Sequence, residues 1–329
     1  MRSPSIGAAI LLMSALFFSA CFNIADVNLF PMPDDQLSSQ VLQTYGDKNT
    51  ENRVLMLDID GPITGEGESV LWWEHEATTE NVKKKLRKAA TDDRIKAVVL
   101  RINSPGGTVT ASDVVYREIR QFKAARNVPV VTMMMDVSAS GGYYIACASD
   151  HIVAHKSTIT GSIGVIVFGL GFDGLFHKIG MESRVVKSGE LKDMGNPFDQ
   201  FSEQERAVFQ AMVDRMYDQF LGVVSESRKM DRDTLRPIAD GRVYLGSEAK
   251  DLGLIDEVGY IDDAVRAAMD KADIRDAKVL FYTDSRRKEL NMYSNNTMKA
   301  PDVNLSVAPD MATMMELARP RLMFMWMGQ

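Results

Sequence analysis

The sequence is poor in the residues from which many common functional sites are built. Cys21 and Cys147 are its only cysteines, too few for a disulfide framework or a zinc site of cysteines. No basic excess is present: the formal net charge is −7, and nothing indicates a nucleic-acid partner. The remaining composition, 45% hydrophobic and 25% charged over 329 residues, suffices for a globular core and one or two domains.

Long apolar runs are also scarce, and the clearest one stands at the N-terminus. After Arg2, the stretch from Ile6 to Phe22 carries no charge. This length suits either a short membrane anchor or a signal segment, and the position of Arg2 predicts that the rest of the chain lies outside the cytoplasm. The letters FSAC at 18–21 resemble a lipoprotein signal with Cys21 as the lipidated residue, although Phe18 departs from the usual aliphatic residue. Helical and lipid anchoring both stay open, and either predicts a protein at the cell membrane with its body on the periplasmic side.

Composition divides the chain into four segments: a signal or anchor at 1–22, a polar tether at 23–52, a body at 53–282, and a linker with an apolar tail at 283–329. Within the body, β-branched apolar runs alternate with helical patterns, which predicts an α/β fold with a mainly parallel sheet flanked by helices. Thr110 is the expected N-cap of one helix. Ser202 and Glu205 form a capping box that predicts the start of another.

The Met-rich C-terminal end, ATMMELARPRLMFMWMGQ, allows three interpretations. We expect it to dock on the core of the body. A contact with a membrane surface and occupancy of a peptide groove are the alternatives. The sequence pattern does not distinguish the last two.

Two glycine-bearing loops leave consecutive predicted strands, and one of them offers a candidate nucleophile. In SASGG, Ser140 follows a buried strand and precedes a short helix, whose N-terminus favours developing negative charge. In SPGG, Gly107 ends the preceding strand. The amides of Gly107 and Gly141 could donate to an oxyanion, since glycine lets a substrate approach the backbone closely. On these residues alone, Ser140 is equally well explained as a turn serine.

A serine nucleophile requires a general base, and the four histidines offer none with an identifiable carboxylate partner. A lysine can serve when burial lowers its pKa enough to leave it neutral. The stretch VVKSGELKDMGNP supplies two candidates, Lys187 and Lys192. Residue type and spacing do not choose between them, and an ordinary surface lysine remains the alternative for each.

A family resemblance adds to these observations. The motifs INSPGG, SASGGYYIACASDHIVAHKSTITGSIGVI, KSGELKDM and IADGRVYLGSEAKDLGLIDEVGYIDDA resemble the signal peptide peptidase A (SppA-type) serine proteases in their short, single-copy form, over about residues 52–282. The resemblance implies a ClpP/crotonase-like fold and a Ser–Lys dyad. It also implies a homo-oligomeric ring whose neighbouring subunits complete each site. The implied substrates are cleaved signal peptides, for which a pocket for small and aliphatic side chains would be suited.

Carried over by position, the resemblance implies specific roles for five residues. Ser140 is the nucleophile and Lys192, in place of Lys187, is the general base. Gly107 and Gly141 provide the oxyanion donors, and the hydroxyl of Ser162 positions the lysine. The implied reaction needs no metal and no cofactor.

Three other functions compete with this one. LMLDIDG resembles the nucleophile loop of haloacid dehalogenase-type phosphatases, in which Asp58 would attack phosphate and both Asp58 and Asp60 would bind magnesium, although Pro62 departs from that pattern. An acyl-CoA enzyme of the crotonase type would keep the fold without needing Ser140. A non-catalytic, membrane-tethered peptide-binding scaffold would need neither Ser140 nor Lys192.

Overall fold

The computed structural model describes residues 37–65, 68–70, 73–75, 77–283, 291–294 and 320–328. The predicted anchor at 1–22, the lipidation candidate Cys21 and most of the linker after 283 lie outside these residues. Within the described part of the chain, no helix combines the length and apolar character needed to cross a membrane.

Nine of the described strands form the core sheet, and its central strands are all parallel. Its main order is β1–β13–β2–β5–β7–β8–β12, and β9 and β11 extend it from the far end of β7. Among the described strand pairs of this sheet, only β1–β13 and β9–β11 are antiparallel. The predicted α/β class with a mainly parallel sheet is therefore confirmed. The fourteen strands described are β1 Ser38–Tyr45, β2 Arg53–Asp60, β3 Glu68–Val70, β4 Trp73–His75, β5 Ile95–Ser104, β6 Gly106–Thr108, β7 Val130–Ala139, β8 His151–Ala154, β9 Ile159–Gly161, β10 Ile166–Phe168, β11 Val243–Leu245, β12 Glu257–Val258, β13 Ala277–Thr283 and β14 Arg321–Met325.

Helices cover both faces of this sheet. The described helices are α1 Thr78–Ala90, α2 Val109–Arg126, α3 Gly141–Ala146, α4 Asp173–Lys178, α5 Glu203–Arg228, α6 Arg232–Leu235, α7 Gly246–Asp251 and α8 Ile261–Lys271, with a 3₁₀ turn at Arg236–Ile238. Alternate residues of β2 serve the two faces: Leu55 and Leu57 join the cluster under α1, α2 and α5, whereas Val54 and Met56 join the cluster under α8. This two-sided burial explains why apolar residues predominate on both faces of the parallel strands.

Residues 38–45 correct the predicted boundary of the tether. The sequence places them in a polar tether at 23–52, but they form β1, which pairs antiparallel with β13 along its whole length. The strand has mixed burial because it lies at the sheet edge and is held mainly by backbone hydrogen bonds. Such a strand needs little apolar character, so its sequence resembles a linker.

Two predicted helix starts have different outcomes. Ser202 and Glu205 form the expected capping box at the start of α5, with both reciprocal hydrogen bonds present. The expected N-cap Thr110 is wrong: α2 begins two residues earlier, and the hydroxyl of Thr108 accepts from the amide of Ala111. The helix can start there because Thr108 ends β6 in an extended conformation.

The C-terminal end forms part of a second, three-stranded sheet. Strand β14 is its central member and pairs antiparallel with β10 on one side and with β6 on the other. The expectation that the tail docks on the body is confirmed for residues 320–328. It docks as a strand, through backbone pairing on both sides.

Candidate active site

Ser140 stands at an abrupt turn between β7 and α3. Its backbone has φ 52° and ψ −112°, a conformation that residues with a side chain rarely adopt. The turn is held by a hydrogen bond from the Ser140 amide to the Gly161 carbonyl at 2.8 Å. The hydroxyl of Ser140 is buried, and among the described residues it has no hydrogen-bond partner. It is therefore not used to stabilise the turn.

The two glycine loops lie side by side, as the order of strands predicts. Strands β5 and β7 are neighbours, and Ser104 pairs with Ser138 where both strands end. A Cβ atom placed on Gly141 would lie 3.2 Å from the Cα of Gly106, and one on Gly106 would lie 2.8 Å from the Gly141 amide nitrogen. Such close backbone approach excludes side chains from this place.

The amide of Gly107 points toward β14. The carbonyl of Gly106 accepts from the Ile63 amide at 2.9 Å, and the Thr108 amide donates to the Ile63 carbonyl at 3.0 Å. Because backbone groups alternate in direction along a strand, the Gly107 amide between them faces the opposite side, where Phe324 is its register partner. Gly107 therefore presents its amide to β14, close to the start of α3.

Ser162 lies next to the Ser140 turn. It follows β9, whose Gly161 pairs with Ala139 of β7, and its own amide donates to the Arg242 carbonyl at 2.8 Å. The residue is buried and lines a cavity of about 570 Å³, whose wall also includes Tyr217, Gly241 and Trp326. The structure therefore brings together four of the predicted site residues: Ser140, Gly141, Gly107 and Ser162.

The fifth predicted residue, Lys192, is separate from them in the single chain. It is exposed, in a turned segment between α4 and α5, and it does not reach the Ser140 hydroxyl. The other candidate base, Lys187, forms a 2.7 Å ion pair with Asp193. This pair raises the pKa of Lys187 through the hydrogen bond to Asp193, which opposes a role as a neutral base.

Comparisons with known proteins identify the family of this chain. The model of peptidase family S49 matches residues 122–275, and that of Clp protease matches residues 73–159. A protein of Enterococcus faecium that carries the name signal peptide peptidase SppA is 38% identical over 240 residues, which cover 73% of this chain and 70% of that protein. This chain belongs to the signal peptide peptidase A family of serine peptidases, family S49. It is a serine endopeptidase with a Clp protease-like fold.

Longer proteins are also similar. Protease 4 of Haemophilus influenzae is 32% identical over 300 residues, which cover 89% of this chain and 47% of that protein. The chloroplastic serine protease SPPA of Arabidopsis thaliana is 35% identical over 217 residues, which cover 66% of this chain and 31% of that protein. The chain thus spans less than half the length of these two peptidases.

Asp58 has a structural role in the core, which agrees with the membership of the chain in family S49. Both carboxylate oxygens of Asp58 accept hydrogen bonds from the Arg101 guanidinium, at 2.8 and 2.6 Å, and both side chains are buried. Arg101 also donates to the carbonyls of Met292 and Ser294. A carboxylate held in this way is not free to attack phosphate, and no cluster of three metal-binding side chains occurs in the described ranges. The phosphatase hypothesis based on Asp58 and Asp60 is therefore wrong.

Cys147 also has a structural role in this S49 peptidase. It is buried at the end of α3, and burial raises the pKa of its thiol to about 12. A thiol that stays protonated is a poor nucleophile.

Sequence reasoning did not identify the aromatic cluster beside the site. Tyr144 of α3 stacks on Phe324 with ring centroids 5.1 Å apart, and Phe220 of α5 lies 4.8 Å from Phe324. Tyr144 is fixed by hydrogen bonds to Asp113 at 2.7 Å and from Gln219 at 3.0 Å. Tyr144 is the second residue after the SASGG loop, and this proximity was the signal available in the sequence.

Proposed function

We propose that this serine endopeptidase is a membrane-associated Ser–Lys dyad enzyme that degrades cleaved signal peptides and other small or unfolded peptides. The observation that carries the proposal is the Ser140 hydroxyl, buried at the start of α3 and without a hydrogen-bond partner in the described part of the chain. A hydroxyl held in this way at an unusual backbone conformation is better explained by chemistry than by stability.

In the proposed reaction, the neutral amine of Lys192 takes the proton from Ser140 while the serine oxygen attacks a peptide carbonyl. The amides of Gly107 and Gly141 donate to the oxyanion that forms. The C–N bond then breaks, and the lysine passes its proton to the leaving amine. Lys192 next removes a proton from water, which attacks the acyl-enzyme and releases the acid.

We further propose that Lys192 acts on Ser140 of a neighbouring subunit in a homo-oligomeric ring, and that Ser162 holds the lysine amine. Two features support this. Lys192 is exposed and does not reach Ser140 of its own chain, and the segment just before it exposes a run of large apolar side chains that a second copy could cover. These side chains are Leu170, Leu175, Ile179, Met181, Val185 and Val186.

Labelling with a serine-reactive fluorophosphonate tests the dyad. In the wild type we expect the adduct on Ser140, located by peptide mass spectrometry. Lys192→Ala should abolish labelling and peptide cleavage because the serine loses its base. Lys187→Ala is the matched control from the same segment and should keep both. A fully active Lys192→Ala protein would show that another group is the base.

Mixing two inactive variants tests the neighbouring-subunit arrangement. Co-expressed Ser140→Ala and Lys192→Ala chains should regain about one quarter of wild-type activity, since random assembly places an intact serine beside an intact lysine in one site of four. Each variant alone should be inactive. If the mixture is also inactive although the two chains co-purify, the serine and lysine of each site come from the same chain.

A further inference from the structure

The completely buried hydroxyl of Ser104 lies at the base of the SPGG loop and takes no part in the proposed reaction. It accepts a hydrogen bond from the Gly106 amide at 3.1 Å, and its own proton has the Gly106 carbonyl as acceptor at 3.5 Å. Ser104 is the last residue of β5, where this strand pairs with β7 just before the Ser140 turn. A side chain of the rigid sheet therefore holds the first glycine of the loop.

Gly106 needs such support because its backbone adopts an uncommon conformation. Its φ is +103°, in a region that glycine occupies but that residues with a side chain rarely do. Two successive glycines leave a backbone free to adopt many other conformations unless hydrogen bonds hold it. Gly106 is buried, and the Ser104 hydroxyl is the partner that satisfies its amide. The side chain of Ser104 therefore selects one of the conformations that the two glycines allow.

The hydrogen bonds of Gly106 determine the direction of the Gly107 amide. The Gly106 carbonyl and the Gly107 amide belong to one planar peptide unit, so the two groups point in opposite directions. The Ile63 amide holds this carbonyl at 2.9 Å, and the Ser104 hydroxyl holds Gly106 at its own amide. With both bonds in place, neither Gly106 nor the peptide unit that follows it can turn. The Gly107 amide consequently keeps a single direction.

Ser104 also adjoins the second glycine loop. A Cβ atom placed on Gly142 would lie 2.9 Å from the Ser104 carbonyl oxygen, and one placed on Gly106 would lie 2.8 Å from the Gly141 amide nitrogen. The two loops are thus packed backbone against backbone. A displacement of Gly106 would change the distance between the two amides proposed to bind the oxyanion. Such donors are effective only within a narrow range of distances from the oxygen.

We propose that Ser104 is a positioning residue that holds the Gly107 amide in the direction required of an oxyanion donor. This inference rests on the proposed function of Ser140 and Gly107. Ser104 acts through Gly106 and touches no substrate, so its loss weakens binding of the transition state and leaves binding of the uncut peptide unchanged. The proton transfer from Ser140 to Lys192 is not affected either.

Inhibition by a peptide aldehyde and by the corresponding peptide alcohol tests this role in the full-length protein. Ser140 Oγ adds to the aldehyde carbon, and the former carbonyl oxygen then lies where the oxyanion forms, whereas the alcohol binds without an adduct. Ser104→Ala should weaken the aldehyde about thirtyfold and the alcohol less than about twofold, since removal of a whole oxyanion donor costs about a hundredfold or more. Both inhibition constants are independent of the folded fraction of the enzyme. Equal weakening of the two inhibitors, or no change in either, would overturn the proposal.

Thr132→Val is the matched control because it removes another completely buried hydroxyl, from the neighbouring strand β7. The partner of the Thr132 hydroxyl is that of Ser149, at 2.6 Å, in the segment that follows α3. This variant should bind the aldehyde and the alcohol as the wild type does. A loss of aldehyde inhibition as large as that of Ser104→Ala would show that the loss of any buried hydroxyl of the sheet is sufficient, and that Ser104 has only a structural role.

A second variant covers the case in which Ser104→Ala does not fold. Ser104→Cys keeps a side chain of similar size but offers only a weak acceptor to the Gly106 amide, so it should weaken the aldehyde at least about threefold. Full aldehyde affinity in this variant would contradict the proposal. Fluorophosphonate labelling separates the two proposals: without labelling of Ser140 in the wild type, the proposed catalytic role fails; with labelling but unchanged aldehyde inhibition in the variants, only the role of Ser104 fails.

Discussion

Ser140 combines two features that are each unfavourable for stability. Its φ of 52° and ψ of −112° place a residue with a side chain in a conformation that costs about 1–3 kcal/mol. Its hydroxyl is buried, and in the described part of the chain no group pairs with it. Both costs fall on the residue that the proposed mechanism needs most. The neighbouring Gly141 has no room for a side chain, so Ser140 is the residue of this turn that combines a side chain with a strained backbone.

Replacing Ser140 by glycine and by alanine should separate strain from chemistry. Both variants should lose activity, since neither has a nucleophile. In urea unfolding, Ser140→Gly should be more stable than Ser140→Ala by about 1 kcal/mol, because relief of the backbone strain exceeds the entropy that glycine adds to the unfolded chain. The control is Ala146→Gly in α3, where glycine should destabilise. A Ser140→Gly protein less stable than Ser140→Ala would show that the turn is not strained.

At the scale of elements, the long helix α5 supports the site from a distance. Its last residue, Arg228, donates to both carboxylate oxygens of Asp256 at 3.0 and 2.7 Å, and Asp256 also accepts from the Ile152 amide in β8 at 2.8 Å. This connection fixes α5 to the sheet, and α5 carries Phe220 of the aromatic cluster. Burial acts to raise the pKa of Asp256, but the hydrogen bonds and the charge of Arg228 outweigh it and lower the pKa.

Asp256→Asn should therefore destabilise the protein in a pH-dependent way. At pH 7 we expect a loss of about 2 kcal/mol, the usual contribution of hydrogen bonds to a charged group. Because the folded state lowers this pKa, the contribution is complete above the unfolded value of about 4 and is lost as the pH falls through the lower folded value. In urea unfolding, the free energy of unfolding of the variant should differ less from that of the wild type at pH 3 than at pH 7. The exposed Asp251→Asn variant should be as stable as the wild type at both pH values. If Asp256→Asn lost the same stability at pH 7 and at pH 3, folding would not lower the pKa of Asp256.

At the scale of the whole molecule, a single chain holds an incomplete proposed site. Ser140, Gly107, Gly141 and Ser162 lie together, whereas Lys192 lies on an exposed segment. The proposed assembly would cover the apolar side chains before Lys192 and would complete the dyad in the same step. Catalysis and association would then be linked, since only assembled chains could activate Ser140.

Dilution should reveal this linkage. The rate of peptide cleavage per chain should fall when the protein is diluted below the dissociation constant of the assembly, and fluorophosphonate labelling of Ser140 should fall in parallel. A sample cross-linked before dilution should keep its rate, which excludes loss by adsorption or unfolding. A constant rate per chain down to concentrations at which sedimentation shows only monomers would require a complete dyad within one chain.

Much of the core was predictable because its signals are local. The parallel strands are rich in β-branched apolar residues, as in β5. The capping box at Ser202 needs residues only three positions apart. The first and last strands were harder to predict, since β1 and β14 depend on backbone pairing with partners far along the chain. The side chains of β1 and β14 give little indication of these pairing partners.

The sequence by itself determined the α/β class, the adjacency of the two glycine loops and the unusual position of Ser140. These features depend on the order of strands along the chain and on turn residues, both of which can be recognised in short stretches of sequence. The tertiary structure alone decided three further points. Asp58 pairs with Arg101, Lys192 lies away from Ser140 of the same chain, and Phe324 contacts Tyr144 and pairs with Gly107. The physical reason is common to all three: contacts between distant residues depend on register and packing, and no local pattern encodes them.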